Sequence, residues 1–111
     1  MNGVMRALGL CRRAGALICG TPMICEALRG KKAPIIVLMA SDTSEGTHKK
    51  LTDKCSFYRV ELVELSVDGE TLARSVGKTG ALAAVAVTDE NLAKLVKNAL
   101  CEGGICQTED N

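Results

Sequence analysis

At 111 residues and 11.7 kDa the chain has room for one domain. Surface scaling predicts a modest core that hides roughly 65% of the extended chain's area. A composition of 47% hydrophobic and 24% charged residues, with two prolines, excludes low-complexity disorder and a collagen-like chain. The net charge of +1 hides an asymmetry. Residues 1–55 carry nine Lys/Arg against four Asp/Glu, and residues 56–111 carry five against nine. This permits a local basic footprint but no chain-wide attraction for nucleic acid.

The chain alternates helix and strand. VMRALGLCRRAGA places Val4, Leu8 and Cys11 on an apolar stripe with Arg6, Arg12 and Arg13 on wetter sides, and Gly15 is the predicted stop. LIC at 17–19 is a short strand. Thr21 then reads as a helix cap and Pro22 as the first helical residue, with Ile24, Ala27 and Leu28 buried and Gly30 ending the helix. PIIVLMA at 34–40 is continuously apolar, the mark of an inner strand covered on both faces. Asp42 and Glu45 form a capping-box pattern for THKKLTDKC, in which Leu51 and Cys55 face inward. His48 lies on that side and reads as a partly buried helix-edge residue. A strand over about 60–65, a helix over 70–76 stopped by Gly77, and a buried strand over 83–87 follow. Thr88 is the expected cap of a last helix with Leu92, Leu95, Val96 and Ala99 on its apolar face.

Apolar central strands need helices on both sheet faces, so the predicted fold is a three-layer α/β/α sandwich. Its sheet has four strands, mixed or mostly parallel. One domain spans 1–111, with a polar tail over about 102–111.

Cys11, Cys19, Cys25, Cys55, Cys101 and Cys106 are scattered, several within apolar patterns where a thiol acts as a small hydrophobe. Cys101 and Cys106 supply only half of a four-ligand zinc site, so no metal is expected. Arginines interrupt the early apolar residues, and no run is long enough to cross a membrane. The reading is a cytoplasmic chain with reduced thiols. GKTGAL at 77–82 lacks phosphate-loop spacing, and no nucleophile elbow, HExxH or CxxC pattern is present. No enzyme and no cofactor are expected. Phe57 and Tyr58, the only aromatics, do not make a stacking platform for single strands.

The informative segment is Gly20-Thr21-Pro22-Met23. A glycine followed by a helix start brings backbone amides close to a phosphate or a base edge. Arg12, Arg13, Lys31 and Lys32 would supply phosphate contacts if the first two helices pack as neighbours. The same residues also describe an ordinary helix start with solvent-facing cations, and the residues alone leave both readings open.

LGLCRRAGAL, Gly20, PIIVLMASDTS, THKKLTDKC and LARSVGKTGALAAVAVTDENLAKLV, taken together in this order, resemble the kink-turn-binding group of large-subunit ribosomal proteins, in particular its small bacterial homologues. The likeness runs from about Leu8 to Leu100. It implies a non-catalytic domain that binds structured RNA, rRNA or another, at a sharply bent internal loop, with ribosomal proteins as further partners. The family's RNA-reading helix start falls on Gly20, Thr21, Pro22, Met23 and Glu26, and its second RNA-facing loop on Thr79, Gly80, Ala81 and Leu82. Many RNA-binding members carry polar or acidic residues at the equivalents of Pro22 and Met23 and a lysine at Glu26. Here side-chain readout is reduced, and Glu26 repels phosphate. The alternative is a degenerate member serving as a ribosome-associated or protein-interaction module. The sequence leaves the oligomeric state open.

Overall fold

The structure, a computed structural model, describes residues 3–30 and 33–102. Its elements are α1 (Gly3–Arg13), β1 (Leu17–Cys19), α2 (Thr21–Arg29), β2 (Ile36–Met39), α3 (Glu45–Tyr58), β3 (Glu61–Glu64), α4 (Gly69–Ser75), β4 (Ala84–Val87) and α5 (Glu90–Glu102). The four strands form one sheet in the order β1-β4-β2-β3. β4 runs antiparallel to both neighbours, with Cys19 opposite Val85 and Met39 opposite Ala84. Only β2 and β3 are parallel, Ile36 facing Glu61. The sheet is therefore mixed, and the mostly parallel alternative is excluded because β4 lies between β1 and β2 and opposes each.

The two continuously apolar runs take the two inner positions, and every residue of β2 and β4 is buried. Alternation along these strands divides the core in two. Ile36, Leu38, Val85 and Val87 pack against α1, α4 and α5 through Val4, Leu8, Leu72 and Val96. Val37, Met39, Ala84 and Ala86 point the other way, onto Ile24 and Leu28 of α2 and Leu51 and Cys55 of α3. Each such aliphatic side chain contributes about 1.5–3 kcal/mol on full burial. The three-layer sandwich follows directly.

Three helix starts differ from the sequence reading. Gly20, not Thr21, is the N-cap of α2, and no side chain caps this helix. Thr21 and Pro22 are both already helical, because Gly20 turns the chain straight out of β1 with φ +95°. α3 is capped by Ser44, whose hydroxyl accepts from the Thr47 amide, so Glu45 is the first helical residue. Thr43 delays the start: its hydroxyl donates to the Ala40 carbonyl at 2.8 Å, with the Ala83 carbonyl 3.2 Å away. Asp42 is thereby released for another partner. At α5 the cap is Asp89, which accepts from the Leu92 amide at 3.0 Å, rather than Thr88.

Cys11 and Cys55 are buried and Cys19 and Cys25 partly so, all as free thiols. The side chain of Cys101, all of Cys106 and the tail beyond 102 lie outside the described residues, as do Lys31 and Lys32. Among the described residues no helix is long and apolar enough to cross a membrane. No group of three His, Cys, Asp or Glu side chains is placed to hold a metal ion there either.

Candidate nucleic-acid interface

Because β4 opposes β1 and β2, its amino end lies beside the carboxyl ends of β1, β2 and β3. This one edge gathers the starts of α2, α3 and α4 and the turn that leads into β4. A hydrogen-bond net ties them. The Gly20 amide donates to the Ala84 carbonyl at 3.1 Å, and the Ala40 amide to the Ala83 carbonyl at 2.8 Å. The Ser41 amide reaches the Val67 carbonyl at 2.8 Å. Asp42 accepts from the Gly69 amide at 2.8 Å, and the Leu82 amide closes onto the Gly69 carbonyl at 3.0 Å.

The first of the sequence-predicted segments is thus bonded to the strand into which the second leads. Gly20 has its amide on β4 and its carbonyl on the Ile24 amide at 3.0 Å. Thr21 is half-buried, whereas Pro22, Met23 and Glu26 are exposed along the outer side of α2, Met23 at 57%. Without a side-chain cap, the amides of Thr21 and Met23 have no acceptor within the helix, and Pro22 has no amide hydrogen. In the turn, Thr79, Gly80 and Ala81 are exposed, while Leu82 is half-buried against the α1/α4/α5 core.

The cations are arranged differently from expectation. α1 and α2 pack on opposite faces of the sheet, so the condition placed on Arg12 and Arg13 fails. Arg12 instead reaches α4, donating from Nη1 to the Val76 carbonyl at 2.7 Å. It returns to the edge by another route. Burial raises the Cys19 thiol, and the charges of Lys78 and Arg12 draw it partly back, so the field of both cations reaches the residue before Gly20. Lys78 was missed as a site residue; the signal was its place in GKTGAL, immediately before Thr79. Arg13 is exposed on the last turn of α1.

Asp42 and Gly69 were also missed. A Cβ on Gly69 would stand 2.9 Å from the Leu82 carbonyl oxygen and 3.3 Å from the Ala81 Cβ, so the turn rests directly on the start of α4. Asp68 caps that start through the Thr71 amide, and this bond holds its carboxyl below the ordinary range. His48 pairs with Glu64 at 3.1 Å rather than with a nucleophile. The edge therefore presents backbone donors and a small apolar turn, within the field of Lys78 and Arg12.

A model of the ribosomal protein L7Ae/L30e/S12e/Gadd45 family matches residues 2–97. The RNA-binding protein YlxQ of Bacillus subtilis (strain 168) is 38% identical over 86 residues, covering 78% of this chain and 83% of its own. The RNA-binding protein YlxQ of Enterococcus faecium is 38% identical over 99 residues, covering 89% and 91%. Among solved structures, a protein of unknown function from Bacillus halodurans superimposes with a TM-score of 0.76 at 28% identity, covering 86% of this chain and 98% of that one. The Giardia lamblia 15.5kD RNA binding protein gives 0.73 at 13% identity over 94% and 88%, a likeness of fold alone. The expected resemblance holds at the level of the family: this chain belongs to the ribosomal protein L7Ae/L30e/S12e/Gadd45 family.

Proposed function

We propose that the protein binds structured RNA, rRNA or another, at a sharply bent internal loop of the kink-turn kind, without catalysis. The observation that carries this reading is the single edge where the uncapped start of α2 and the exposed turn Thr79-Gly80-Ala81 stand together, joined by the bond from Gly20 to Ala84. Backbone donors at Thr21 and Met23, presented by the turn at Gly20, suit a bent backbone or an unpaired base edge, and the small turn packs on a sugar or base. Arg12, Lys78 and, beyond the described residues, Lys31 and Lys32 neutralise phosphates. The names of the YlxQ relatives support RNA as the ligand class. Ribosomal proteins are the neighbours such an RNA brings with it.

The exposed face of α2 sets the affinity. Met23 offers no hydrogen bond to a base edge, and the Glu26 carboxylate faces the phosphates. The test is a titration against a kink-turn RNA and a straight duplex of equal charge, at two salt concentrations. Wild type is expected to prefer the bent RNA. Glu26→Lys is expected to tighten that binding about tenfold, since exchanging one phosphate repulsion for a contact is worth about 1–1.5 kcal/mol. Equal weak binding to both RNAs, abolished by salt and unchanged by Glu26→Lys, would overturn the reading. A ribonuclease-resistant protein partner would then favour an interaction module.

A further inference from the structure

An open groove of about 730 Å³ lies between α1 and the last turn of α4. Three of its eight lining residues are arginines (Arg6, Arg12 and Arg13) and none is acidic. We propose that this groove is a second phosphate-binding surface, which holds the backbone of one helical stem flanking the bent RNA loop. The inference rests on the RNA-binding reading above and extends it to a face of the sheet that α2 does not touch.

The groove is built for a polyanion in several ways. Arg6 and Arg13 stand seven residues apart on the same side of α1, about 10 Å along the axis. Both are exposed, and among the described residues neither has a salt-bridge partner. Arg12 between them is held by the Val76 carbonyl, which fixes its guanidinium and leaves further donors free. Gly9 sits where α1 packs on α4, a Cβ there falling at ordinary contact distance, 3.5 Å, from the Ser75 carbonyl. Continuity supplies the last step. Gly77 lines the groove, Lys78 follows it in the chain, and the charges of Lys78 and Arg12 both act on Cys19, the residue before Gly20. The positive field of the groove thus extends toward the edge where α2 begins. A planar, multivalent donor set on a rigid helix suits successive phosphates better than a compact ligand.

The experiment compares wild type with the double variant Arg6→Gln/Arg13→Gln. The RNAs share one bent loop, and their stems are lengthened one at a time from about 3 to about 12 base pairs. Circular dichroism and melting confirm that the surface variant folds as wild type does. For one of the two stems, lengthening should tighten wild-type binding about tenfold, and the variant should lose that gain. Its salt slope should fall by roughly 1.5, as expected for two lost phosphate contacts. On the short-stem RNA the two proteins should bind alike. A variant that matches wild type on every long-stem RNA, or that loses equally on short and long RNAs, overturns the groove. Failure of the underlying reading looks different: wild type itself would then bind bent and straight RNA alike, and both inferences would fall.

Discussion

α2 and α4 begin at the same end of the sheet, on opposite faces, and each has a glycine at its threshold. Gly20 adopts φ +95° and ψ 141°, a region essentially closed to residues with a Cβ, yet a Cβ there would meet only the Pro22 ring at 4.0 Å. Gly69 needs no unusual dihedral; it needs room, because the Leu82 carbonyl oxygen would be 2.9 Å from its Cβ. Their caps differ as well. Asp68 satisfies an amide at the start of α4, whereas no side chain does so for α2. One helix start is finished by its own residues and sealed under a turn, and the other is held by backbone alone and left open. The comparison teaches that glycine at a helix start has two separable meanings, conformational and steric.

Substitution at the two positions tests that separation. Gly69→Val should be the most damaging change, at about 3 kcal/mol from overpacking against backbone. For a chain of this size the melting temperature should fall by roughly 10–20 °C. The turn over Gly69 should also move, so bent-RNA binding should weaken in whatever fraction remains folded. Gly20→Ala should cost less, about 1–2 kcal/mol of dihedral strain, because the space is open. Equal cost for Gly69→Ala and Gly69→Val, or a Gly20→Val variant far worse than Gly20→Ala, would break the distinction between room and dihedral. Thermal melts of the four variants decide it.

A smaller effect sharpens the same contrast. Asp42→Ala removes the acceptor of the buried Gly69 amide and should cost about 1 kcal/mol by denaturant titration. Asp42→Asn keeps an oxygen in place and should recover most of that loss. If Asp42→Ala is neutral, the start of α4 is held by Asp68 and by packing alone.

The order of elements was legible because apolar period and length are strong signals. Ile36-Val37-Leu38 and Ala84-Val85-Ala86-Val87 could only be inner strands, and their burial decides the layers. The caps were less legible because Asp42, Ser44, Thr88 and Asp89 all offer suitable oxygens, and tertiary bonds choose among them. Asp42 pairs across 27 residues with Gly69, a partner that no local pattern reveals. The α2 start and the 79–82 segment could be named from the sequence, but their meeting depends on β4 lying between β1 and β2. Strand order carries no local signature, so Lys78 and Gly69 stayed hidden and Arg12 was expected for the wrong reason.

The last prediction concerns the layer beneath the open helix start. Cys55 of α3 packs with Ile24 and Leu28 of α2, and burial, reinforced by the neighbouring Cys25, pushes its thiol up from 9.0 to about 11. The folded chain therefore holds this proton more tightly than the unfolded chain does. Stabilisation from the neutral thiol is intact below about pH 9, declines as pH rises above that value, and is lost as pH passes through about 11. Burial raises Cys11 and Cys19 as well, and other groups titrate in the same range, so wild type alone does not isolate Cys55. Cys55→Ala does. It should be less stable at pH 8 through the lost packing, but its denaturant midpoint should fall less steeply between pH 8 and 10. Parallel pH profiles for the two proteins would mean that Cys55 ionises as easily when folded as when unfolded, and that the α2/α3 layer admits water where α2 packs on the sheet.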